Sequence, residues 1–112
     1  MNALPLAVLL SVVLVGCGKS EPPPKASASG AQLFEHYCVS CHKVEGTGNF
    51  LKGIPANALT RLGPNEVVDL IRKGNSEKPK MPVFSNLSRY QAERITLHLW
   101  ELRETLIEQR RR

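Results

Sequence analysis

Cys38-Val39-Ser40-Cys41-His42 sets two thiols three positions apart and an imidazole directly after the second. That spacing is the signature for covalent attachment of a c-type haem. Two thiols add across the two vinyl groups of the porphyrin, and the adjacent histidine is then held under the iron as an axial ligand. The pattern is short, and C-x-x-C also serves redox pairs and zinc sites. The flanking chain has to discriminate among them.

At 112 residues the chain is long enough for one small domain. A core of side chains alone is marginal at this size, and small scaffolds commonly need a staple. Only 5% of the residues are aromatic, so a large apolar cofactor is a plausible centre for the core.

Residues 1–16 carry no charged side chain and include an apolar run from Leu6 to Val15. The run is too short to span a bilayer as a helix and suits a signal-peptide core. It ends in Leu14-Val15-Gly16-Cys17, which resembles the lipobox of bacterial lipoproteins. That resemblance implies cleavage before Cys17 and acylation of its sulfur and amino group. The n-region departs from the usual pattern, since Met1-Asn2-Ala3 adds no Lys or Arg. An ordinary signal peptide and an uncleaved anchor are the alternatives. With Cys17 assigned to lipid and Cys38 and Cys41 to haem, none of the three cysteines is left over.

The expected organisation is a signal peptide over 1–16, a lipidated cysteine and linker over 17–29, and a folded domain over 30–112. The linker Gly18 to Ser29 is polar and proline-rich, with nothing to bury. At about 3.1 Å per residue in polyproline II form it would hold a domain some 30–40 Å from its anchor. The placement implied is exported, periplasm-facing and lipid-anchored.

The net charge is +5. Lys43, Lys52, Lys73, Lys78 and Lys80 flank the motif regions, and Arg110-Arg111-Arg112 close the sequence. A basic surface steers acidic protein partners or anionic membrane. Nucleic-acid binding is not indicated, because there is no reader motif and no basic–aromatic interleaving.

Helical spacing of Gly30, Leu33, Phe34 and Tyr37 predicts a short helix running into the cysteine motif. Gly46, Gly48 and Gly53 mark an irregular loop ending at Pro55. One or two helical turns are expected over Ala56 to Leu62. Pro64 and Glu66 open a further helix, with Val67, Val68, Leu70 and Ile71 inside it and Gly74 as its stop. Asn75 to Pro82 is read as a loop displaying Met81. Ser88 and Gln91 match a capping box for a last helix over about Arg89 to Glu108. Its apolar stripe is Ala92, Ile95, Leu99, Leu102 and Leu106. No segment competes with strand periodicity, so the fold class is all-α, with three to five helices around a cofactor.

From Gly30 to Leu106 the chain resembles monohaem class I cytochromes c. Gly30 and Phe34 match the family's N-terminal helix, and Ile95-Thr96-Leu97-His98-Leu99-Trp100-Glu101-Leu102 matches its C-terminal helix. The family usually has an aromatic where His98 stands. Lys80-Met81-Pro82-Val83-Phe84 looks like its distal-ligand loop, and Met81 is the only methionine after Met1. The resemblance implies one covalent haem c tethered by Cys38 and Cys41, with iron ligated by His42 and Met81. Such His/Met ligation raises the reduction potential. Pro55, in Gly53-Ile54-Pro55, resembles the family proline whose carbonyl accepts a hydrogen bond from the axial imidazole. His36 lies too close to Cys38 to reach the opposite haem face, and His98 reads as a packing or surface residue.

The function implied is one-electron transfer between redox protein partners, without enzymatic chemistry. Three alternatives stay open at this point. One is a haem protein with an open distal site, acting as sensor or peroxidase. Another is a cytochrome subunit of a larger redox enzyme complex. The last is a zinc or redox-thiol module on Cys38, Cys41 and His42, which lacks a second Cys/His pair.

Overall fold

Ser29 starts the first helix, α1 (Gly30–Tyr37). Its hydroxyl accepts from the Gln32 amide at 3.1 Å, and the Gln32 side chain accepts from the Ser29 amide at 2.8 Å. This reciprocal capping box satisfies two donors that a helix start would leave bare. The computed structural model describes residues 21–112. The expected signal peptide, Cys17 and the first part of the linker lie outside the described residues.

Three more α-helices follow: α2 (Val39–His42), α3 (Pro64–Lys73) and α4 (Arg89–Arg111). Single 3-10 turns occupy Phe50–Lys52 and Asn57–Leu59. The described residues hold no strand, only an isolated antiparallel bridge between Asn49 and Ile54. The all-α reading is therefore met, with four α-helices. The turns expected over Ala56 to Leu62 reduce to the one at Asn57–Leu59. The last helix runs three residues beyond the expected Glu108, and an exposed i,i+4 ion pair between Glu108 and Arg112 spans its final turn.

α3 begins at a proline, whose missing amide donor is not needed there. The Glu66 carboxylate reaches back to the Gly63 amide at 2.6 Å. Glycine has no side chain to return the bond, so this is half of a capping box. α4 has the complete box, with Ser88 and Gln91 bonded reciprocally at 3.1 and 2.9 Å.

α4 packs against both α1 and α3. Their shared core holds Leu33, Phe34, Cys38, Val67, Val68, Ile71, Leu87, Ala92, Ile95 and Leu99. Leu102 and Leu106, assigned to the apolar stripe from periodicity, are only half-buried. Thr96 takes a core position instead, its hydroxyl donating to the Ala92 carbonyl at 2.8 Å. A threonine that bonds back one turn hides its polar atom and presents its methyl group.

The α1–α4 crossing is very close. A Cβ on Gly30 would lie 2.1 Å from the Arg94 carbonyl oxygen and 3.3 Å from the His98 Cβ. Only glycine allows the two backbones to meet there. One turn further along α1, the Phe34 ring packs on the His98 ring at 5.3 Å and 57°. The imidazole thus fills the aromatic position of the crossing, and its Nδ1 lies 3.4 Å from the Glu101 carboxylate. Trp100 packs against the core from the side.

Candidate haem-attachment site

α1 delivers the cysteine motif to the core. Cys38 ends α1, donating its amide to the Phe34 carbonyl, and also serves as N-cap of the single-turn α2. This junction separates the two thiols by environment. Cys38 is buried within the core cluster, whereas Cys41 is exposed, and both are free. Burial, with Cys41 nearby as a smaller contribution, pushes the Cys38 thiol up to about 12. A neutral buried thiol is a poor redox nucleophile and a poor zinc ligand.

His42 closes α2 and is half-buried. Burial holds its imidazole below the ordinary pKa, opposed by the Pro55 carbonyl, which favours the protonated ring. Even so, Nδ1 is buried and makes no hydrogen bond of acceptable geometry. With its proton on Nδ1, a neutral imidazole keeps Nε2 available as a ligand. Directly after it, Lys43 adopts φ 63° and ψ 162°, a conformation costly for a side chain with a Cβ.

The loop that carries Pro55 back to His42 is built on close backbone contacts. The Gly48 amide donates to the His42 carbonyl at 3.0 Å. Gly48 sits at φ 68°, and a Cβ there would lie 2.3 Å from the Pro55 carbonyl oxygen. Gly48 therefore leaves room for the very carbonyl that faces the imidazole. Beyond it, the Asn49 and Ile54 backbones exchange two hydrogen bonds of 2.9 Å, closing a narrow loop.

Met81 is half-buried and packs against the core cluster that contains Cys38. Its loop is held from both sides. The Phe84 amide donates to the Ile71 carbonyl at the end of α3 at 2.8 Å. The Arg72 guanidinium donates to the Leu87 carbonyl at 3.1 Å, and Leu87 is itself in the core. Tyr37, next to the cysteine motif, packs edge-on against Phe84 at 5.7 Å. The pins at Ile71, Arg72, Phe84 and Leu87, and the space left by Gly48, are the positioning features that motif reading misses. The glycine-rich run 46–53 was the only signal for the latter. His36 is exposed against Tyr37, and His98 is in the helix crossing.

These residues fit a covalently held haem c. Two unbridged thiols flank a turn, a half-buried imidazole directly follows the second of them, and a thioether sits on the same core. Among the described residues, no group of three or more His, Cys, Asp or Glu could hold a metal ion by itself. The apolar side chains of Val44, Phe50, Leu51 and Val83 are left exposed on the two loops.

A family model described as "Cytochrome C oxidase, cbb3-type, subunit III" matches residues 25–99. No curated protein and no solved structure matches the chain. The matched stretch runs from the end of the linker, through the cysteine motif and both loops, into the buried half of α4. A class I-like cytochrome c domain of this kind implies covalently bound haem c and electron transfer. On that match, and on the all-helical fold built around the cysteine motif, the chain belongs to the cbb3-type cytochrome c oxidase subunit III family, as a class I-like cytochrome c domain.

Proposed function

We propose that this protein is a single-haem electron carrier whose iron is held between His42 and Met81, tethered to a membrane through acylated Cys17. The observation that carries this reading is the seat of Met81, half-buried on the cluster that also buries Cys38. A haem c bound through both thiols supplies reversible one-electron chemistry at a potential that its axial ligands set. The chain's own work is to hold ligands still. The Phe84 and Arg72 pins fix the Met81 loop, and the Pro55 carbonyl orients the imidazole and raises its basicity. A site whose ligands do not leave exchanges electrons with little rearrangement.

The partners are redox proteins. Lys43, Lys52, Lys78 and Lys80, all exposed, are the candidate contacts for an acidic partner surface. A second reading concerns assembly and rests on the family description, which names a subunit of an oxidase. In it, this domain passes electrons within a larger complex. An open distal site is less favoured, because Met81 already lies against the core.

The test is a visible spectrum of the holoprotein and of Met81→Ala. The denatured protein should keep a c-type haem band, and the native reduced protein should bind carbon monoxide slowly. Met81→Ala should bind it rapidly and show a lower reduction potential. Rapid binding by the native protein would remove Met81 from the iron.

A further inference from the structure

Phe50 and Leu51 are 93% and 92% exposed, while the other open large apolar side chains among the described residues reach at most 66%. A residue lining a cleft is covered by the other walls even when the cleft is empty. Exposure this complete means that both side chains project outward from the protein. They stand on the 3-10 turn Phe50–Lys52, which is held rigidly. The Asn49–Ile54 bonds close its base, and the Asn49 side chain accepts from the Lys52 amide at 3.3 Å. The pair is thus presented in a fixed geometry, at a standing hydration penalty that only burial against another surface would recover.

Two ammonium groups stand beside the tip. Lys52 is the next residue in the turn, and the Lys80 ammonium lies 3.7 Å from where a Gly53 side chain would begin. Lys80 comes from the Met81 loop, so the two loops meet at this tip. Two adjacent apolar side chains on a convex turn, with ammonium groups beside them, are suited to a lipid interface. The rings and methyls enter the headgroup–acyl boundary while the ammonium groups meet phosphates. A bilayer yields to a protrusion without needing a shaped pocket. No helix among the described residues is long and apolar enough to cross a membrane.

We infer that the Phe50–Leu51 tip, with Lys52 and Lys80, docks the domain onto an anionic membrane surface. The inference rests on the tethered reading above, because the linker keeps the tip within reach of the bilayer. Docking through the tip turns a loosely held domain into one with a fixed orientation. It also leaves Lys43 and Lys78 as the basic residues facing a protein partner.

The experiment uses the lipidated, reduced holoprotein in nanodiscs of phosphatidylcholine with or without phosphatidylglycerol, doped with a doxyl-labelled lipid. Amide resonances of Phe50 to Gly53 are compared with those of Tyr90 and Leu97, which are exposed apolar residues on α4. The expected result is broadening confined to the tip and dependent on the anionic lipid. It should weaken about fivefold for each of Lys52→Gln and Lys80→Gln, and be lost in Phe50→Ser/Leu51→Ser. Equal broadening at Tyr90 and Leu97, or none at the tip, overturns the inference. So does unchanged lipid broadening in the double variant combined with slower electron delivery to native membranes, which would give the pair to a protein partner. Flotation with vesicles reports the Cys17 anchor separately, so loss of the tether and loss of the docking are distinguishable.

Discussion

α1 and α4 meet through a missing side chain at Gly30 and a ring pair, Phe34 on His98, inside a continuous apolar core. The loops carrying Pro55 and Met81 are tied instead by single polar contacts: Gly48 to His42, Phe84 to Ile71 and Arg72 to Leu87. The scaffold is stabilised by many additive contacts, so trimming one side chain is shared among them, whereas a clash of backbone on backbone at the Gly30 crossing is not. Each loop is positioned by a few directional bonds, so the loss of one is felt locally. The scaffold therefore sets whether the domain folds, and, on the proposed ligation, the loops set what surrounds the iron.

Gly30→Ala should give the largest effect. Its Cβ would meet backbone, which cannot move aside, so the helix crossing must open. A loss of about 3 kcal/mol is expected, read as a fall in melting temperature of roughly 12–24 °C for a domain of this size. If the melt is unchanged, the crossing is not where the structure puts it. Gly48→Ala follows, at about 2 kcal/mol, from positive φ combined with the clash against the Pro55 carbonyl. Here the signature matters more than the size. Far-UV helicity should persist while the ferric haem spectrum shifts, because the damage is confined to the His42 side. A parallel loss of helicity would show that loop and scaffold are one cooperative unit.

Arg72→Met removes the charged donor to the Leu87 carbonyl and keeps the aliphatic stem. A loss of about 1.5 kcal/mol is expected, with faster carbon monoxide binding as the Met81 loop loosens. A melt as large as that of Gly30→Ala would place Arg72 in the scaffold. Ser88→Ala should be mildest, at about 1 kcal/mol from the lost cap. It should shift the denaturant midpoint and leave the haem spectrum alone, because the Arg72 and Phe84 bonds that hold the Met81 loop do not use the Ser88 side chain.

Much of the scaffold was open to reading because helices are coded locally. Ser88 with Gln91, Pro64 with Glu66 and the Gly74 stop each act within one turn, and the helices begin or end where they stand. The Ser29–Gln32 box carries the same signature in sequence. Stripe reading faltered at Leu102 and Leu106, which are half-buried, and at Thr96, which is buried. Period tells which face turns inward, but how far the core extends along it depends on the neighbouring helices.

The loops were less legible. Leu87 is a core residue in a turn between polar neighbours, with no periodicity to announce it. The 3-10 turn presenting Phe50 and Leu51 lies in a glycine-rich run that reads only as irregular. His98 was left between packing and surface roles, and its contact with Phe34 resolves that in favour of packing.

The sequence by itself determined the chemistry carried by Cys38-Val39-Ser40-Cys41-His42, the all-helical class and most helix boundaries. Each rests on covalent spacing or on bonds within a few residues. Only the tertiary structure decided that Cys38 is buried and Cys41 open, that Gly48 makes room for the Pro55 carbonyl beside His42, and that Lys80 joins Lys52 at the Phe50–Leu51 tip. Those relations join residues distant in sequence or depend on what the core covers, and local propensity carries no information about either.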